Sequence, residues 1–162
     1  MNRSERDRAD AQLLAFMRES LRIEGIIREP TAHELERTKW FIGLEKPEII
    51  NLCAIVGIYQ SNAQLRDRPG INVQVNNHIA PPGGPWIATK LHEILATLPT
   101  ADPWDTHVAY ERLHPFTDGN GRSGRTLWAW QMVRRQEGLP LGFLHSWYYQ
   151  SLESGSRRTW LT

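Results

Sequence analysis

Twelve consecutive residues, His114-Pro115-Phe116-Thr117-Asp118-Gly119-Asn120-Gly121-Arg122-Ser123-Gly124-Arg125, constrain this chain more than any other stretch. They hold three glycines, a histidine, a carboxylate, an amide and two arginines. They run straight into a helical pattern, Thr126-Leu127-Trp128-Ala129-Trp130-Gln131-Met132-Val133. A glycine-rich loop that opens a helix turns backbone N–H groups and the positive end of the helix dipole toward one point. That arrangement suits an anion, phosphates best of all. A histidine beside it is able to move a proton, and an aspartate to hold a metal ion. The remaining chain has to build, gate or feed this junction of loop and helix.

The chain of 162 residues suffices for one domain with one core. Hydrophobic residues make up 40% and charged residues 23%, the balance of a soluble globular protein. A net charge of +1 gives no strong field for nucleic acid or for anionic lipid, so neither is an expected partner. Arg122, Arg125, Arg134 and Arg135 form the one local basic cluster. Cys53, the single cysteine, lies in the apolar run Leu52-Cys53-Ala54-Ile55-Val56 and is expected as a buried free thiol. No internal disulfide is available, and no Cys/His spacing suggests zinc. The charged start, Met1-Asn2-Arg3-Ser4-Glu5-Arg6-Asp7-Arg8, does not open a signal peptide. No apolar run approaches the roughly 20 residues that cross a bilayer. A reducing cytosol is the expected compartment.

Helical spacing predicts a first helix from residue 4 to about 22, with Ala11, Leu14, Ala15 and Leu21 on its apolar side and Gly25 ending it. Thr31-Ala32-His33-Glu34 has capping-box spacing, which places a second helix over 32–43. Pro47 opens a third, apolar nearly all round to about Ser61 and expected at the centre of the core. Ile71-Asn72-Val73-Gln74-Val75-Asn76 alternates with period two after the turn signal Pro69-Gly70, so a hairpin is expected over about 64–79. Pro81-Pro82-Gly83-Gly84-Pro85 ends it. Helices follow at 85–98 and 102–113, then the motif loop and its helix, then a last helix at about 144–153 carrying Trp147, Tyr148 and Leu152. The expected organisation is an N-terminal helical region (1–30), a core (31–153) and a tail (154–162).

At the motif the sequence resembles the Fic family, whose signature is H-x-F-x-[DE]-G-N-G-R-x-x-R. His114, Phe116, Asp118, Gly119, Asn120, Gly121, Arg122 and Arg125 all match it. The hairpin with His78-Ile79-Ala80-Pro81-Pro82 looks like the family's flap, and His107 stands seven residues before His114, as in many relatives. The likeness spans roughly residues 40–153 and implies an all-α single domain with a β-hairpin flap. Upstream, Ser20-Leu21-Arg22-Ile23-Glu24-Gly25 fits the family's inhibitory pattern [ST]-x-x-x-E-[GN], as in the subclass with an N-terminal inhibitory helix.

Chemistry and resemblance together assign roles. His114 is the candidate general base for a protein hydroxyl. Asp118 is the candidate Mg²⁺ ligand, and an Asx-type turn at Asp118-Gly119 is compatible with that. Asn120 donates to an α-phosphate or braces the turn. Gly119, Gly121 and Gly124 let backbone approach phosphate. The resemblance sends Arg122 to the β-phosphate and Arg125 to the γ-phosphate, while Phe116 anchors the loop. Phe116, Gly119, Asn120, Gly121, Arg122, Gly124 and Arg125 form the expected nucleotide-binding set. Where a phosphotransferase branch of the family has Lys, this chain has Gly121, which implies attack at the α-phosphorus and transfer of AMP. Tyr148 and Tyr149 flank the adenine or pack in the core.

Glu24, with Ser20 and Gly25, is the regulatory set: a carboxylate on Arg125 would occupy the place of the γ-phosphate. Ser20 is expected to bond locally and hold that turn. Ile71, Val73 and Val75 are the target-docking residues, an edge that accepts an extended segment. The implied protein is an adenylyltransferase using ATP and Mg²⁺, inhibited in cis by Glu24. Its partners would be a protein substrate and its own chain, with a homo-oligomer left open. AMP removal by activated water, and a nucleotide-binding module without turnover, stay open as alternatives.

Overall fold

Six helices and one very short ladder account for the regular structure in the computed structural model, which describes residues 2–75, 78–141 and 152. The helices are α1 (Arg3–Ile23), α2 (Ala32–Gly43), α3 (Ile49–Tyr59), α4 (Pro85–Thr97), α5 (Pro103–Leu113) and α6 (Asn120–Arg134). Local chemistry sets their ends. Thr31 and Glu34 close a reciprocal capping box on α2, and Asn2 and Glu5 do the same on α1. Pro85 and Pro103 occupy first turns, where the missing N–H costs nothing. Asp102 caps α5 through the amides of Trp104 (2.9 Å) and Asp105 (3.2 Å).

The central helix is α6, not α3. Every residue of α6 from Arg122 to Met132 is buried, and it packs against α1, α2, α3 and α5. Leu127 and Trp130 join one apolar cluster with Phe41, Leu52, Ile55, Ile87, Leu91, Tyr110 and Phe116. Trp128, Ala129 and Met132 join another with Phe16, Trp104 and Val108, where Phe16 stacks on Trp128 at 5.6 Å between centroids. Several polar groups that accompany α6 inward find carbonyl acceptors, whereas Arg122 Nε and Gln131 Oε1 have no partner among the described residues. Thr126 Oγ1 donates to the Arg122 carbonyl, Trp130 Nε1 to that of Leu44 and Gln131 Nε2 to that of Leu98. By contrast, α3 buries Leu52, Ile55 and Val56 but exposes Ile50, Ala54 and Gly57. Cys53 on α3 is half-buried rather than buried, and its thiol is pushed up by desolvation.

Two other expectations are corrected. The buried face of α1 is Leu13, Phe16, Met17, Ser20 and Leu21, a spacing of three and four; Ala11 is exposed. Among the described residues, β structure is limited to β1 (Gln74–Val75) and β2 (His78–Ile79), with Gln74 opposite Ile79 and Val75 opposite His78. Residues 71–73 of the strand expected across 71–76 lie outside β1, so among the described residues a hairpin of the extent expected over 64–79 does not form and the fold is helical. The reason lies in where the backbone bonds go. Residues 64–66 pair with the motif loop instead: Arg66 N–H donates to the Pro115 carbonyl (2.8 Å) and Thr117 N–H to that of Gln64 (2.9 Å). Of the helix expected at 144–153, only Leu152 lies within the described residues, half-buried against the Phe16 cluster. Trp147, Tyr148, Tyr149 and the tail lie outside them. No helix among the described residues is long and apolar enough to cross a membrane.

Candidate active site

His114 follows the last turn of α5 with φ 50° and ψ 61°, a left-handed conformation uncommon for a side-chain-bearing residue. Three contacts hold it there. Its N–H donates to the Tyr110 carbonyl (2.9 Å), and its carbonyl accepts from Arg66 Nε (2.6 Å). Its ring Nδ1 stands 3.3 Å from the Glu111 carbonyl. A carbonyl only accepts, so Nδ1 carries the proton in that contact and Nε2 is the basic nitrogen.

Beyond His114 the loop is anchored by Phe116, buried in the larger apolar cluster. Asn120 braces it, accepting from Phe116 N–H and donating to the Phe116 carbonyl, both at 2.8 Å. Of the two sequence readings for this amide, the structure displays the brace, with the second Nδ2 hydrogen not involved in it. Asp118 Oδ1 accepts from the next amide, Gly119 N–H (2.5 Å), rather than from the amide two residues on as an Asx-type turn would, while its side chain remains 59% exposed. Gly119, at φ 76°, precedes α6 in a position that L-residues adopt with strain. Ser123 ties the first turn together, bonding to the carbonyls of Gly119 and Asn120 and to Tyr110 Oη.

Both motif arginines are buried. Arg122 lies over the Tyr59 ring at 5.0 Å and 3.9 Å from Asp118, and its Nε has no hydrogen-bond partner among the described residues. A buried guanidinium with an unmet donor at a helix start favours an anion as its complement. Arg125 is fully buried. Its Nε donates to Ser20 Oγ (2.7 Å), and its Nη2 to the Ser20 carbonyl (3.1 Å) and to Glu24 Oε1 (2.5 Å). Ser20 therefore bonds the arginine directly and does more than hold its own turn.

Glu24 reaches this position because α1 ends in a Schellman motif. Gly25 N–H donates to the Arg22 carbonyl and Ile26 N–H to that of Leu21, with Gly25 at φ 73°. The following connection is clamped by the two-bonded pair of Arg28 with Glu34, at 2.8 and 2.7 Å. The carboxylate fills a notch at Gly121, where an added Cβ would lie 2.5 Å from Glu24 Oε1 and 2.9 Å from Arg125 Nη1.

Four residues that sequence reasoning gave no role complete the site. Glu111 fills a second notch, its Oε1 2.4 Å from where a Cβ on Gly124 would stand. That oxygen is buried without a hydrogen-bond partner, and desolvation pushes the carboxyl up to about 7 against the opposing pull of Arg125. Its place three residues before His114, on the same helix face, was the available signal. Burial pulls His107 down to about 3, with Arg125 acting the same way, so it is neutral near pH 7. Tyr59 and Arg66 reach the site from distant segments, and nothing in their local sequence marks them.

The geometry thus brings His114, Asp118, Asn120, Arg122, Arg125, Ser20 and Glu24 around one helix start. Residues 55–132 match the Fic/DOC family model. The matched residues run from Ile55 in α3 to Met132 in α6 and include the whole motif, Tyr59, Arg66, His107 and Glu111. Ser20, Glu24 and Gly25 lie outside the Fic-matched residues and meet them at Arg125. Comparison with curated proteins gives no match.

Proposed function

We propose that this Fic domain transfers AMP from ATP to a hydroxyl side chain of a protein, and that Glu24 holds the activity low. The observation that carries the reading is the buried pair Arg122 and Arg125 at the start of α6, with the Arg122 Nε donor unmet, beside a histidine whose Nε2 is basic. In this reading the target oxygen bonds to the α-phosphorus as His114 Nε2 takes its proton. The bond from that phosphorus to the bridging oxygen breaks, and pyrophosphate leaves. The guanidinium groups and first-turn amides of α6 hold the phosphate charge. The space over Gly121 that now holds the Glu24 carboxylate is the space a phosphate would need.

The donor set fits Mg²⁺, which is commonly bound by one carboxylate plus phosphate oxygens: Asp118 offers a largely exposed carboxylate 3.9 Å from Arg122. The ion would supply charge neutralisation at the phosphates. An extended target segment lying along Ile71, Val73 and Val75 would bring its hydroxyl toward His114. The chain's own hydroxyls are further acceptors. Because Glu24 is seated on Arg125 here, removal of AMP by water at the same site is the second reading.

The test uses ATP labelled at the α- or γ-phosphate. Glu24→Gly should raise incorporation of the α label at least about ten-fold, with no γ label retained. Adding His114→Ala should return it to background. Incorporation unchanged or lowered by Glu24→Gly rules out the inhibitory role, and retained γ label rules out AMP transfer. Incubating wild-type protein with an AMP-bearing target decides the second reading.

A further inference from the structure

Arg66 is fully buried, yet among the described residues no carboxylate pairs with it. Burying an unpaired guanidinium is costly, and desolvation pulls its pKa down. All its observed side-chain bonds go to backbone carbonyls. Nε donates to His114 (2.6 Å), Nη2 to Leu113 (2.9 Å), and Nη1 to Pro81 (2.8 Å) and Ile71 (3.2 Å).

These acceptors belong to two distant pieces of chain. Leu113 and His114 end α5; Ile71 and Pro81 flank the β1–β2 ladder on either side. The Arg66 backbone repeats the link, its N–H on the Pro115 carbonyl and its carbonyl on Gly84 N–H (2.9 Å). Gly83 makes the convergence feasible, since an added Cβ there would lie 2.4 Å from the Ile71 oxygen. Asn72 Oδ1 closes the exit by accepting from Gly83 N–H (3.0 Å). Only a planar fork of five donors serves carbonyls arriving from several directions; a lysine ammonium, with three donors at one point, does not.

We propose that Arg66 is a positioning residue that fixes residues 71–84 relative to His114, so that a segment docked on that strap meets the base in register. The registering role rests on the AMP-transfer reading; the mechanical link does not. Displacing the guanidinium releases the His114 carbonyl, and with it the left-handed backbone that aims the ring. The same displacement frees both feet of the strap. Nucleotide contacts on α6 are untouched.

The experiment compares Arg66→Gln, Arg66→Lys and the milder Asn72→Ala, each alone and combined with Glu24→Gly. Amide hydrogen exchange read by mass spectrometry should accelerate at 71–84 and at 114–117 together, with α6 unchanged. Asn72→Ala, which touches only the strap exit, should show the same joint response more weakly, and it serves if the arginine variants do not fold. In the Glu24→Gly background, Arg66→Gln and Arg66→Lys should lower kcat for AMP transfer at least about ten-fold with KM for ATP within about two-fold. Acceleration at the strap alone overturns the proposal, as does rescue of kcat by lysine. If no variant transfers AMP, the exchange result still decides the link, and the reaction reading alone falls.

Discussion

Gly121 and Gly124 stand one turn apart on α6, and a carboxylate fills each notch. The two acids could hardly be treated more differently. Glu24 arrives from the end of α1, keeps 26% of its side chain exposed and is bonded to Arg125. Glu111 arrives from α5, and its buried Oε1 accepts no hydrogen bond. Arg125 pulls the Glu111 carboxyl down while Glu24 and burial push it up, to about 7. One guanidinium thus stands between an acid that is partly wet and an acid that is built in. A ligand of Arg125 that is to be exchanged has to be partly wet, because a fully buried pair is expensive to break. The built-in acid, pushed up to about 7, keeps its proton to a higher pH than an ordinary glutamate.

The largest expected effect tests the built-in acid. A carboxyl whose pKa rises from 4.5 unfolded to about 7 folded keeps its proton longer in the native state. The Glu111 contribution to stability therefore falls as pH rises from about 4.5 to about 7 and levels off above that. The total is at most on the order of 3 kcal/mol, at about 1.4 kcal/mol per unit. Glu111→Gln cannot titrate, so its denaturation midpoint measured across pH 5–8 should lack this fall. A parallel decline in the variant would remove Glu111 as its source.

The notches themselves come next. Alanine at 124 would set its Cβ against the Glu111 carboxyl and 2.9 Å from the Tyr110 ring, two groups held in the core. Overpacking of this kind costs about 1–3 kcal/mol, offset in part by the better helix propensity of alanine. Alanine at 121 meets the far ends of two long side chains, the half-open Glu24, which can swing out, and Arg125, whose Nη1 at 2.9 Å must shift slightly. Urea unfolding should show Gly124→Ala clearly destabilised and Gly121→Ala within about 1 kcal/mol of wild type. Equal losses would mean that both notches are rigid and that Glu24 is not exchangeable.

The comparison also shows what the sequence could disclose. The contact of Glu24 with Arg125 was legible through the family resemblance, helped by an acid before Gly25 at a helix end running against the dipole, whereas Gly121 and Gly124 were read as places for phosphate and not as notches for carboxylates. The bounds of α2 were equally legible, since Thr31 and Glu34 make a local bond pair. Glu111 was hidden because its meaning lies in Gly124, thirteen residues on, and Arg66 because its acceptors are carbonyls, which every residue has. The central place of α6 was hidden for a related reason. Thr126 and Gln131 look like solvent-facing residues until their partners, the carbonyls of Arg122 and Leu98, are in view. The apolar α3 misled in the opposite direction, since exposing Ile50 is permitted to any surface. The alternation over 71–76 signalled an extended chain, but Arg66 and the motif loop compete for the bonds that a longer ladder would have used.

The smallest expected effect links the two acids. Glu24→Gln keeps the shape of the first notch and removes its charge. Arg125 retains Ser20 Oγ and the Ser20 carbonyl, and the notch is open to water, so the loss at pH 7 should stay near 1 kcal/mol. The sharper readout is Glu111. Without the Glu24 charge one of the influences raising its carboxyl is gone, so the Glu111 contribution should level off at a lower pH than in wild type, while its start near 4.5 stays in place. His107, held neutral when folded but free to protonate when unfolded, adds a rise in stability up to about pH 6.5 in wild type and variants alike, so the Glu111 effect is read as the difference between curves. A levelling-off point that does not move, with the fall still present, would mean that the two carboxylates do not sense each other across Arg125.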